Sequence, residues 1–414
     1  KEKLNEFKKQ YEKTMQNELK DYENNNIYPL NEDPNFIFKI SSKKEFQDTK
    51  YDGTVKKNIE EIKKYSDFLC NTKFELNPHQ SFVKNFLSFQ TPYNSLLLYH
   101  GLGSGKTCTA IGVAEEMRNY LKQLNINRRI IVVASPNVQE NFKLQLFDER
   151  KLELNNGYWN LNACTGNELL NEINPMNIKG ITKEKITKQI NQIINKYYTF
   201  MGYTKFANYI DKAIGEQEGK SISNVSIKKI KKMFEDRLII IDEVHNIRSV
   251  SSKNEEKRIS NNLNKLVKYT DNLHLLLLSA TPIYNNYKEI VYLINLLNLN
   301  DKKSEVKVSE IFDNDGNFIM DEGYEIGKQK FIEKTRGFVS FVRGDNPYTF
   351  PFRIFPYEFD KEKSLKTISY PRLQFNETDI IEPLQFIDTY NIKIGNYQNL
   401  AYEHVINNLV KKSN

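Results

Sequence analysis

In the stretch LLLYHGLGSGKTCTAI, which begins at Leu96, an apolar run enters a glycine-rich turn and Lys-Thr follows. Backbone N–H groups of such a turn, with a helix N-terminus behind them, form an anion site. Gly101, Gly103 and Gly105 let the backbone approach phosphates, and Ser104 sits among them. Lys106 is placed to reach the β- and γ-phosphates, and the Thr107 hydroxyl to ligate Mg²⁺. The full pattern G-x-x-x-x-G-K-[ST] asks for glycine at position 100, where this chain has His100. A second stretch, LIIIDEVHNI, sets Asp242 and Glu243 at the end of an apolar run, where packing gives no reason for two adjacent carboxylates. Asp242 suits a Mg²⁺ held through water, and Glu243 suits a general base that polarises water. In LLLLSATPIYNN, Ser279 and Thr281 are small hydroxyls at another strand end, able to bond the carboxylate pair. In ELNPHQSFVKNFL, Gln80 carries an amide that can read the N6/N7 edge of adenine.

These residues need a scaffold, and the sequence supplies its pattern. SLLLYH, RRIIVVASP, RLIIIDEVH and HLLLLSATP are unbroken apolar runs bounded by turn signals. Such runs fit strands buried on both faces of a parallel sheet. Helical patterns lie between them, so the expected fold is a doubly wound α/β domain. Ligands of such sheets bind outside the carboxyl ends of the strands, where the glycine turn and the carboxylates fall. Residues 1–75 read as a charged helical extension, either a docking element or a cover on the core. Residues 76–300 read as the α/β domain, and 301–414 as a looser connector. The Lys-rich, helical stretch at about 166–236 reads as an insertion on it. DNDGNF, at 313–318, misses the spacing of a calcium loop and reads as a hairpin turn.

Composition sets outer bounds. The 414 residues carry 60 basic and 53 acidic side chains, net +7, which permits a polyanion partner without requiring one. Cys70, Cys108 and Cys164 are far apart and odd in number, so neither a metal quartet nor a disulfide framework is expected, and a reducing compartment is. No apolar run approaches the ~18 residues of a membrane span, so no membrane partner is expected. No signal peptide is read at the start, and a chain opening on Lys1 reads as a fragment.

Together, Gln80, GLGSGKT, IVVASPNV, DEVH and SATP resemble the first half of the superfamily 2 helicase motor, a RecA-like P-loop ATPase domain. The segments YYTFMGYTKFANYI and GFVSFVRGDNPYTFP resemble helicase-like ATPases of large DNA viruses, akin to the poxvirus early transcription factor small subunit and nucleoside triphosphate phosphohydrolase I. Glycine loops of that superfamily often lack the first glycine. The resemblance implies ATP and Mg²⁺ as cofactors and a nucleic-acid track, duplex DNA rather than RNA. It also implies a role in viral transcription, alongside transcription machinery or a second subunit, in virion and host cytoplasm. It places Ser135, Pro136 and Asn137 near nucleic-acid phosphates, and Ser279, Thr281 and His245 in coupling. It also implies a second lobe bearing Q-x-x-G-R-x-x-R. Arg336, Arg343, Arg353 and Arg372, the arginines after Thr281, lie outside such a setting. The expectation is therefore the N-terminal half of a longer motor, weak as an enzyme by itself. Two other readings of the residues stay open: a P-loop ATPase or kinase that does not act on nucleic acid, and a non-catalytic interaction module on the same fold.

Overall fold

The computed structural model describes residues 27–51, 58–71, 75–215, 222–247, 254–283, 286–342, 356–364, 372–373, 378–382 and 392–413. Residues 1–26 of the extension read as helical, with Arg343 and Arg353, lie outside them. The apolar runs are strands: β1 (Ser95–His100), β2 (Ile130–Val133), β6 (Leu238–Ile241) and β7 (His274–Ser279). A two-stranded ribbon, β3 (Leu152–Asn155) and β4 (Tyr158–Leu161), turns on Asn156 and Gly157, both at positive φ. β5 (Tyr198–Met201) and β8 (Val339–Val342) complete a six-stranded sheet in the order β5-β2-β6-β7-β1-β8, every pair parallel.

Alternation explains why the central strands are apolar throughout. Successive side chains point to opposite faces, and here both faces are covered. Leu96, Leu98, Val132, Ile240 and Leu276 join one buried cluster. Leu97, Ile131, Val133, Ile239 and Leu275 join the other. Each fully buried leucine or isoleucine contributes about 1.5–3 kcal/mol of transfer free energy. The chain thus has the doubly wound α/β architecture, a RecA-like P-loop domain.

The helices that matter here follow in chain order: α1 (Phe36–Ser41), α2 (Lys44–Gln47), α3 (Ile59–Asn71), α4 (Pro78–Phe86), α5 (Lys106–Gln123), α6 (Pro136–Leu146), α7 (Glu168–Ile173), α8 (Lys183–Tyr197), α9 (Tyr203–Ile214) and α10 (Asn224–Phe234). Phe36, Ile40 and Phe46, from α1 and α2, pack into the cluster that holds Phe86 and Tyr93, so residues 27–50 cover the core. The hairpin reading at 313–318 also holds, since Phe312 and Phe318 form an antiparallel bridge around Gly316 at positive φ.

Three features depart from the sequence reading. The interval read as helical also supplies β5, an edge strand four residues long and contiguous with α8, which gave no separate apolar run. β8, from the stretch read as a connector, pairs with β1 beside the glycine turn. Cys108 and Cys164 form a disulfide with Cα atoms 5.2 Å apart. The expectation of no disulfide is corrected, because 56 residues of sequence separation vanish when α5 packs beside the segment after β4. The ground for inferring a reducing compartment goes with it.

Contacts divide the chain into compact units at Lys1–Tyr348 and Thr349–Asn414. The described part of the second holds a four-residue helix, Pro356–Phe359, and a long one, Asn396–Ser413. Among the described residues no helix is long and apolar enough to cross a membrane.

Candidate active site

The glycine turn leaves the carboxyl end of β1, DEVH leaves β6, and SATP leaves β7, the strand between them. Three neighbouring strand ends therefore deliver the chemistry to one edge of the sheet.

Gly103 and Gly105 have φ of 76° and 79°, in the left-handed region that favours glycine. Gly105 caps α5, and a Cβ there would fall 2.4 Å from the Gln80 amide nitrogen. The Ser104 hydroxyl donates to the Gly101 carbonyl at 2.7 Å and tightens the turn. Lys106 Nζ donates to the His100 and Gly101 carbonyls at 3.0 and 3.3 Å, folded along the loop. Partial burial lowers the Lys106 pKa, against the pull of the Glu243 and Asp242 carboxylates. Those charges lie near enough to act on one another across the gap between strands. Thr107 stands next to Lys106 in the first turn of α5.

His100, where the loop pattern asks for glycine, is fully buried. Its Nε2 bonds the Ser340 hydroxyl of β8 at 2.9 Å, and its ring meets His79 edge-on at 5.5 Å. The side chain is thereby taken up by β8 and α4. Burial first, then His79 and Lys106, hold its pKa down at about 3. His79 in turn bonds the Ser104 carbonyl at 2.9 Å and the Tyr51 hydroxyl at 2.6 Å.

Gln80 is held by the protein itself. It is only 2% exposed, its Oε1 accepts from the Asn77 N–H at 2.8 Å, and its Nε2 donates to the Gly105 carbonyl at 3.0 Å. The amide caps the first turn of α4 and latches the glycine turn. In this arrangement the amide holds the turn, and a base would meet it only after it had swung out.

Asp242 is 5% exposed and its Oδ1 accepts the Glu243 N–H at 2.9 Å. Burial raises its pKa to about 6, and the neighbouring Glu243 charge adds to this, while the N–H bond and Lys106 oppose it. Glu243 lies in the left-handed region, φ 50° and ψ 51°. Its Oε2 is 3.3 Å from His245 Nδ1, which is 3.1 Å from the Ser279 hydroxyl. Ser279 Oγ accepts from the Thr281 N–H at 3.0 Å. Glu243, His245, Ser279 and Thr281 thus form one continuous polar chain from β6 to β7. Ser135 caps α6, with Pro136 and Asn137 exposed in its first turn at the end of β2, on the same edge of the sheet.

The donor set fits a hard cation. Thr107 and Asp242 offer oxygens only, and Mg²⁺ takes few protein ligands, completing its shell with phosphate and water. Among the described residues there is no group of three or more His, Cys, Asp or Glu that could hold a metal ion.

The sequence reading missed Tyr203 and Asn246. The Tyr203 hydroxyl donates to the Asp242 carbonyl at 2.7 Å, and Asn246 Nδ2 to the Glu243 carbonyl at 3.1 Å. YYTFMGYTKFANYI contains Tyr203, but nothing local in it signals a partner some forty residues away.

The family model described as "Type III restriction enzyme, res subunit" matches residues 73–284, just over half of the chain, and the chain belongs to this family. A mimivirus protein (Acanthamoeba polyphaga mimivirus) named "Putative ATP-dependent RNA helicase R563" is 29% identical over 368 residues, 88% of this chain and 56% of that protein. "Nucleoside triphosphatase I" of Choristoneura biennis entomopoxvirus is 28% identical over 260 residues, 62% of this chain and 32% of that protein. The chain therefore spans about half or less of the length of these relatives. Among solved structures, the "Sulfolobus solfataricus SWI2/SNF2 ATPase core in complex with dsDNA" aligns with 66% of this chain and 45% of its own, at 16% identity and a TM-score of 0.37. The sequence relatives and the matched motifs make this a helicase-like ATPase domain of superfamily 2.

Proposed function

We propose that this member of the family is the ATP-binding first lobe of a motor that hydrolyses ATP with Mg²⁺ and acts on nucleic acid during viral transcription. The observation that carries the reading is the convergence of Lys106, Asp242 and Glu243 at neighbouring strand ends. In this reading the glycine turn and Lys106 bind the phosphates, while Thr107 and Asp242 hold the cation, which offsets developing charge. Glu243 accepts the proton of the attacking water, a role worth ~10²–10⁴ in rate. The chain Glu243–His245–Ser279–Thr281 gives hydrolysis a path from β6 to the segment after β7. Ser135, Pro136 and Asn137 face the track, and their exposed helix start suits a phosphate.

Duplex DNA is the proposed track, in keeping with the resemblance to viral transcription ATPases. The mimivirus relative's name favours the alternative, RNA. ATP turnover of the full-length protein without nucleic acid, with duplex DNA and with RNA decides between them. Stimulation by DNA alone supports the proposal, stimulation by RNA alone moves the track to RNA, and none by either refutes action on nucleic acid.

A further inference from the structure

Glu243 has an improbable backbone. A non-glycine residue in the left-handed region is disfavoured by roughly 1–2 kcal/mol, and glutamate is not among the types that settle there. Such a conformation persists only where its surroundings over-determine it. Here those surroundings can be traced atom by atom.

The Glu243 carbonyl accepts from the Asn246 backbone N–H at 3.0 Å and from Asn246 Nδ2 at 3.1 Å. The Tyr203 hydroxyl donates to the Asp242 carbonyl at 2.7 Å and lies 3.4 Å from the Glu243 carbonyl. Asn246 Nδ2 closes the arrangement at 3.5 Å from the Tyr203 oxygen. One phenol thus spans the two peptide units on either side of the Glu243 Cα.

The sheet brings Tyr203 there. Met201 of β5, Val133 of β2 and Ile241 of β6 occupy one row across three parallel strands. The row continues one residue further, where Ala134 N–H bonds Met201 O and Asp242 N–H bonds Val133 O, each at 3.0 Å. Beyond it the first strand gives Gly202 and Tyr203 at the start of α9, and the third gives Asp242 and Glu243. The phenol is therefore fixed to the carboxylate turn through a rigid sheet edge. β5, in the lysine-rich interval, has its function in this placement.

We infer that Tyr203, with Asn246, is a positioning residue that clamps the Asp242–Glu243 turn in its left-handed conformation and so aims the Glu243 carboxylate at the water beside the γ-phosphate. Tyr203 itself touches neither nucleotide nor water in this scheme. The inference rests on the reading of Glu243 as the base.

The test uses the full-length protein and its nucleic-acid-stimulated ATPase. Tyr203→Phe keeps the ring and removes the hydroxyl. Freed of it, the turn relaxes toward ordinary backbone, and the carboxylate moves by a fraction of an ångström or more. Since misplacement of about 1 Å can cost about 10²-fold, kcat is expected to fall at least about tenfold. KM and the Kd for ATP should stay within about twofold, because the glycine turn and Lys106 are untouched. Asn246→Ala should lower kcat in the same way, and the double variant should lose less than the product of the two, since both hold one turn through its two successive carbonyls. In a Glu243→Gln background, Tyr203→Phe should cost nothing more. An unchanged kcat, a parallel fall in ATP affinity, or a full further loss in the Glu243→Gln background would each overturn the inference. The underlying reading fails separately, if Glu243→Gln alone leaves hydrolysis intact.

Discussion

Replacing Gln80 by alanine separates two roles for one side chain. As a reader of adenine it would contribute a bidentate contact worth about 1–3 kcal/mol of discrimination between bases. Its loss would then weaken ATP about 5–150-fold more than a pyrimidine triphosphate. As a latch it loses something else. The Asn77 N–H gives up its capping partner and the Gly105 carbonyl one of its donors. The Gly105 carbonyl keeps the Thr109 backbone N–H at 2.9 Å and the Thr109 hydroxyl at 3.1 Å, so it is not orphaned. The cost is therefore about 1 kcal/mol for the cap at the start of α4 and about 1 kcal/mol for the hydrogen bond to the Gly105 carbonyl. About 2 kcal/mol of stability should go, visible as a lower urea midpoint. The glycine turn, no longer held, should bind every triphosphate less tightly. Calorimetric titration of Gln80→Ala with ATP and with UTP, each against the parent, gives the answer. The latch predicts that the ATP to UTP ratio of dissociation constants stays within about twofold of the parent's. A selective loss of ATP affinity of about tenfold or more would refute it and return Gln80 to the base.

Two further outcomes follow from the same geometry. Lys106→Ala should abolish ATP binding at micromolar concentration, because Lys106 is the cation that the glycine turn brings to the phosphates; unchanged binding by calorimetry would remove the phosphate-loop assignment. His274, buried at the start of β7 with its ring 4.6 Å from that of Phe89, has its pKa pushed down to about 4 by burial. The unfolded chain takes up that proton near pH 6.5 and the folded chain only near 4, so this stability is present above pH 6.5 and lost as the pH falls. Between pH 7 and 5 the loss is about 2 kcal/mol; in urea unfolding His274→Leu should remove that part of the acid sensitivity, and parallel curves for variant and parent would contradict it.

The site was legible in the sequence where chemistry sits inside one short motif. GLGSGKT, DEVH and SATP each follow an apolar run, and a parallel sheet with buried faces sends all such runs to one edge. What stayed hidden depends on contacts between motifs. Gln80 has the side chain to read a base, yet only the fold shows its amide turned into the Gly105 carbonyl. Tyr203 stands 39 residues before Asp242, and their bond exists because β5 joins an edge that its four residues do not announce. Cys108 and Cys164 pair because α5 packs beside the segment after β4, and β8 escaped notice because VSFV is broken by Ser340 and is too short for an unbroken run. Local pattern yields elements, whereas edge strands and cross-motif bonds require the packing of the whole domain.

The central claim is that nucleotide binding and hydrolysis divide between the glycine turn and Glu243. It is tested most directly by Glu243→Gln in the full-length protein, with the Kd for Mg-ATP and single-turnover hydrolysis measured on the same sample. The amide keeps the shape and the hydrogen bonding to water but cannot take the proton. The account predicts a Kd within about twofold of the parent and a hydrolysis rate lower by about 10²–10⁴. Hydrolysis at the parent rate, or loss of binding in step with hydrolysis, would contradict it.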